Sequence, residues 1–108
     1  MVRKTHPYRR GYTFERRVRA HLEKDGWFVV RQGKSAFPDL ICLKKGKVML
    51  VECKVDGYLR PEERRTLLET STKIGAESVI AFREGKKIIL RNLGKEGVTA
   101  PHEQVIQN

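Results

Sequence analysis

Asp39-Leu40-Ile41-Cys42-Leu43-Lys44-Lys45-Gly46-Lys47-Val48-Met49-Leu50-Val51-Glu52-Cys53-Lys54-Val55 reads as two apolar strands, residues 39–43 and 48–55, folded back on a polar loop at 44–47. A symmetric loop sets Leu43 against Val48, and the same register sets Asp39 against Glu52 and Phe37 against Lys54. Directly opposed side chains have Cβ atoms roughly 4.5–5.5 Å apart, where like charges destabilise. Two carboxylates side by side in runs this apolar work against stability, and a divalent cation removes the conflict. Hard oxygen donors suit Mg²⁺ or Mn²⁺. Strand alternation puts Glu52 and Lys54 on one face, while Cys53 points to the other and leaves its backbone carbonyl near the carboxylates. Lys54 is then placed to stabilise a phosphate or to orient an attacking water.

Working outward, Phe14, Val18 and Leu22 recur every four positions and predict an amphipathic helix from Gly11 to Asp25, ended by Gly26. Glu15 lies on the edge of that apolar stripe, which must face the sheet, and is a candidate fourth group at the carboxylate pair. It reads equally as an intrahelical partner of Arg19, four residues on. Trp27 to Val30 is a short strand, and Gln32 to Ala36 a polar loop holding Gly33 and Ser35. Downstream, Arg60-Pro61-Glu62-Glu63 opens a second helix, since Pro fits a first turn and acids favour an N-terminus. It runs to about Ile74 and stops at Gly75; strands at 78–83 and 87–92 then form a final hairpin. The order is α-β-β-β-α-β-β, an α/β fold with a mixed central sheet flanked by helices. Strand 48–55, the helix and strand 78–83 make a right-handed parallel crossover. Both faces of strand 48–55 are apolar, so a second helix layer or a second subunit must cover one of them. One domain is expected over 1–108, with a flexible basic arm at 1–9 and an irregular tail at 94–108.

The chain's 108 residues carry a formal charge of +10, and 39% are hydrophobic, which excludes disorder or collagen as a description of the whole. No apolar run approaches the ~20 residues needed to span a bilayer, and the start does not lead into a signal-peptide apolar region. No membrane partner is expected. Cys42 and Cys53 lack metal-site or disulfide-scaffold spacing and read as reduced core thiols of a cytosolic protein. The histidines are scattered. Charge is concentrated at the start: Arg3, Lys4, Arg9, Arg10, Arg16, Arg17 and Arg19 stand against Glu15 alone, with Tyr8 and Tyr12 interleaved. Such a cluster suits a nucleic acid, because neutralising phosphates releases condensed counterions; the bland reading is a solvated tail and helix face.

A bare Glu-x-Lys is a loose motif, and it occurs twice. Glu84-Gly85-Lys86 lies in a polar turn with no Pro-Asp upstream, whereas Glu52-Cys53-Lys54 follows Pro38-Asp39 by 13 positions in an apolar strand. Pro38-Asp39, Glu52-Cys53-Lys54 and the upstream Glu15 together resemble the PD-(D/E)XK nuclease superfamily. Glu15-Arg16, Val29-Val30-Arg31, Ser35 four positions before Asp39, and Val51-Glu52-Cys53-Lys54-Val55 narrow the resemblance to the archaeal-type Holliday junction resolvases, over roughly residues 9–93.

The resemblance implies a restriction-endonuclease-like fold and a homodimeric, Mg²⁺-dependent endodeoxyribonuclease, with Mn²⁺ able to substitute. Such an enzyme binds a four-way DNA junction and nicks two opposed strands symmetrically. By position it makes Glu15, Asp39 and Glu52 the acidic set and Lys54 the catalytic lysine. Asp39, Glu52 and the Cys53 carbonyl become metal ligands, with Glu15 a further candidate. Ser35 matches a loop serine needed for cleavage, Arg16 and Arg31 match basic residues near the scissile phosphate, and the arm from Arg3 to Arg10 reaches into the junction. Placement is cytoplasmic, in the host cytoplasm for a viral gene. Two alternatives remain: a related endonuclease acting on linear duplex in repair or restriction, and a non-catalytic basic nucleic-acid-binding module whose carboxylates are structural. Tyr58 reads as a DNA contact or an ordinary loop residue, Phe37 as a roof over the site, and Trp27 as core.

Overall fold

A computed structural model of the chain describes residues 7–33, 37–94 and 103–106. Among these residues two helices and six strands follow one another as α1 (Pro7–Lys24), β1 (Phe28–Arg31), β2 (Leu40–Lys44), β3 (Lys47–Cys53), α2 (Pro61–Ile74), β4 (Glu77–Glu84), β5 (Lys87–Asn92) and β6 (Glu103–Ile106). The strands form one sheet in chain order, β1-β2-β3-β4-β5-β6. Only β3 and β4 run parallel, joined by α2; the other neighbours are antiparallel. The β2–β3 ladder runs from Leu43 opposite Val48 to Leu40 opposite Val51, the register read from the loop. Its next step places Asp39 opposite Glu52.

Each helix covers part of one face of the sheet, and Ile80, Phe82 and Ile89 form a third cluster with Leu59 and Leu93. Phe14, Val18 and Leu22 of α1 pack with Val29, Leu40, Cys42, Met49, Val51, Val79, Ala81, Ile88 and Leu90 on one face. Leu67 of α2 packs with Leu50 and Ala76 on the other. The second face of β3 is thus covered at Leu50 by a helix of the same chain, without a second subunit. With about 25 cal/mol per Å² of apolar surface removed from water, these two layers are the main stabilising term.

Two glycines set the ends of the crossover. Gly75 takes φ 74°, the left-handed conformation of a helix C-cap, and its N–H donates to the carbonyls of Ser71 and Thr72. Gly57 takes φ 81°, and a Cβ there would meet the Phe82 ring at 3.2 Å. The chain leaving β3 therefore turns tightly against β4 before it enters α2.

Two expectations are corrected. Residues 7–9, expected in the flexible arm, form the first turn of α1, where Pro7 has no N–H to leave unpaired. Residues 103–106, expected in an irregular tail, add to β5 with Ile88 opposite Ile106 and Leu90 opposite Gln104. An edge strand offers a row of unpaired backbone groups, and pairing them needs no side-chain periodicity. Residues 1–6 and the rest of the tail beyond Gly94 lie outside the described residues.

Candidate active site

The β2–β3 hairpin delivers its two carboxylates at the end remote from its turn, and the main chain holds each of them. Asp39 N–H donates to Glu52 Oε1 at 2.9 Å, and Cys53 N–H donates to Asp39 Oδ2 at 2.8 Å. Each strand thus braces the acid of the other. Glu52 is buried, at 6% exposure. Desolvation, and then the neighbouring charge of Asp39, push its carboxyl up to about 7. Asp39 is also raised, mainly by burial, with the Cys53 N–H and the hydrogen bond to Glu52 working against it.

Lys54 follows on the same strand face. Its Nζ donates to Glu63 Oε2 at 2.8 Å, and Glu63 Oε1 in turn accepts from the Arg60 N–H at 3.0 Å, inside the first turn of α2. Burial raises Glu63, but the bonds from Lys54 and the Arg60 backbone outweigh it, so its carboxyl sits below the usual range. Asp39, Glu52, Cys53, Lys54 and Glu63 line one open cleft of about 550 Å³, walled by Phe37.

Glu15 comes from the α1 side. It does not pair with Arg19, which meets Glu23 at 3.2 Å; its Oε1 accepts from Arg31 Nε at 2.6 Å. The Arg31 guanidinium also lies 4.8 Å from the centre of the Tyr12 ring, and that of Arg16 lies 5.8 Å from it. Both are within cation–π range. Glu15, Arg16, Arg31 and Tyr12 thus form a cluster on the α1 side of the sheet. Among the described residues no three His, Cys, Asp or Glu side chains converge on one point. The donors that do converge, two carboxylates held by the main chain, fit a hard divalent cation.

Arg9 and Arg10 fall on the first turns of α1. Arg3, Lys4 and Ser35 lie outside the described residues. Both cysteines are free thiols, and burial pushes Cys42 up to about 12 and Cys53 well above its ordinary value, which makes neither a nucleophile. Trp27 packs against the α1-side core, and Tyr58 stands 62% exposed in the loop after β3. Glu63 and Tyr12 are the participants that sequence reasoning passed over. Glu63 was visible only as a helix-start acid, and Tyr12 only as an aromatic among arginines.

Comparison with known proteins gives the family. The family model of the archaeal Holliday junction resolvases (Hjc) matches residues 6–99. The crossover junction endodeoxyribonuclease Hjc of Methanocaldococcus jannaschii is 33% identical over 91 residues, covering 81% of this chain and 68% of that protein. The solved structure of Hjc from Archaeoglobus fulgidus, a Holliday junction resolvase from an archaeal hyperthermophile, superposes with a TM-score of 0.66 at 20% identity. It covers 88% of this chain and 83% of that one, so the restriction-endonuclease-like fold is shared. No helix among the described residues is long and apolar enough to cross a membrane. By the span of the family match and by the identity to a curated member, this chain belongs to the archaeal Holliday junction resolvase family.

Proposed function

We propose that the chain is a divalent-metal-dependent endodeoxyribonuclease that resolves four-way DNA junctions as a homodimer, nicking two opposed strands. The observation that carries the reading is the reciprocal bracing of Asp39 and Glu52 by backbone N–H groups, with Lys54 beside them. In this reading Asp39, Glu52 and the Cys53 carbonyl hold the cation, Mg²⁺ with Mn²⁺ as a substitute. When bound, it supplies charge stabilisation at the phosphoryl oxygens and an acidified water. The Lys54 ammonium holds a non-bridging phosphate oxygen or the attacking water. Arg31 and Arg16 lie near the scissile phosphate, and Glu15 orients Arg31. Arg9 and Arg10, with Arg3 and Lys4, contact the DNA, and Ser35 takes part in cleavage. A two-fold dimer matches a two-fold substrate, one site to each cut strand.

The test is cleavage of a labelled synthetic four-way junction against its linear-duplex arms, in Mg²⁺ or EDTA, for wild type and Asp39→Asn. Junction-selective nicking that disappears in EDTA and in the variant supports the reading. Equal cutting of the arms leaves a nuclease but not a resolvase, and junction binding without cutting leaves a binding module.

A further inference from the structure

Glu63 belongs to α2, outside the strand pair that carries the acids, yet it is the group that holds Lys54. Its two oxygens do different things: Oε2 takes the Lys54 ammonium at 2.8 Å, and Oε1 takes the Arg60 N–H at 3.0 Å. One carboxylate thereby ties the exit of β3 to the first turn of α2. The Lys54 side chain is 29% exposed and that of Glu63 18%, so the pair is shielded from water more than a surface bridge. Lysine is a flexible point charge, carrying about 2 kcal/mol of rotamer entropy that a positioned ammonium must give up. Lys54 also stands within electrostatic reach of both Asp39 and Glu52. Without Glu63 those acids are the anions that attract it, and an ammonium seated on them competes with a cation.

We propose that Glu63 is a positioning residue of the nuclease site: it fixes the Lys54 ammonium in the cleft and keeps it off the Asp39–Glu52 pair. This rests on the nuclease reading above, and it assigns α2 a part in the chemistry as well as in the core. Misplacement of a reacting group by about 1 Å costs on the order of a hundredfold in rate.

The experiment compares wild type, Glu63→Ala, Lys54→Met and the double variant. Single-turnover junction cleavage is measured in Mg²⁺, junction affinity in Ca²⁺, and Mn²⁺ binding to the DNA-free protein by calorimetry. Expected for Glu63→Ala is a fall in rate of roughly tenfold to a hundredfold, with junction affinity within about twofold of wild type and weaker Mn²⁺ binding. Adding Glu63→Ala to Lys54→Met should leave Mn²⁺ binding where Lys54→Met alone puts it, because Glu63 acts through the lysine. Cleavage at the wild-type rate overturns the proposal. So does a rate loss matched by lost junction affinity, or a Mn²⁺ effect that persists without Lys54. If Glu63→Ala does not fold, Glu63→Gln is carried through the same cycle and read the same way. A wild type that fails to cut the junction at all sinks the nuclease reading instead, and the Mn²⁺ cycle still decides whether Glu63 restrains Lys54.

Discussion

Replacing Glu52 by Gln should make the metal-free protein more stable while abolishing cleavage. The raised carboxyl fixes both the sign and the size. Below 4.5, its ordinary value, Glu52 is protonated folded and unfolded alike, and ionisation has no influence on folding. As pH climbs from there to about 7 the unfolded chain ionises first, so the folded state loses stability across that window; above it the loss is complete. At 1.36 kcal/mol per pH unit, the full cost is about 3 kcal/mol. A glutamine side chain has no proton to lose, and its amide oxygen still accepts the Asp39 N–H. Thermal unfolding in EDTA should therefore show the two proteins nearly equal at pH 4, and the variant ahead by roughly 10–20 °C at pH 8.5. Saturating Mg²⁺ should raise the Tm of wild type and leave the variant almost unmoved. The reasoning fails if the gap does not widen with pH, or if the variant melts first at pH 8.5.

Three further outcomes are expected. Ser71 is 2% exposed in α2 and its Oγ has no hydrogen-bond partner among the described residues, so Ser71→Ala should stabilise the fold by about 1 kcal/mol, read as a higher urea midpoint with unchanged slope. Gly57→Ala forces a left-handed residue into the Phe82 ring and should cost about 1–2 kcal/mol in the same assay; no loss would mean the turn rearranges freely. Arg31→Ala should weaken junction binding and reduce the slope of log affinity against log salt by about 1, as for one lost phosphate contact, and an unchanged slope would remove Arg31 from the interface.

The central hairpin was legible because everything that determines it is local. A short loop fixes the register, the register fixes which side chains oppose, and alternation fixes the face, so Asp39, Glu52 and Lys54 follow from sixteen consecutive residues, 39–54. Glu15 illustrates where locality ends. Its helical position was readable, but Arg31 comes from β1 across a helix–sheet contact, while Arg19 had a second acid, Glu23, at the same spacing on its other side. Glu63 was hidden for a related reason. Residues 55–60 between Lys54 and α2 carry no periodicity, so nothing in the sequence states how far the helix start lies from the strand end. The last strand was missed because four residues, Glu103–Ile106, are too few to show alternation, and their pairing is decided by the exposed edge of β5.

The bracing at the carboxylate pair comes from main-chain N–H groups, and this separates what position 53 must supply from what it is free to vary. Cys53 gives the site an amide hydrogen for Asp39, while its thiol packs on the opposite side of the sheet, against the α1-side core. Any residue with an N–H and a side chain that fits that core would serve, so a switch to valine or alanine reaches the chemistry only through packing. Proline alone would silence the site directly, by deleting the hydrogen that aims Asp39. The letter between the acid and the lysine is thus written twice over, in two independent scripts: the core reads its side chain, and the active site reads only its backbone.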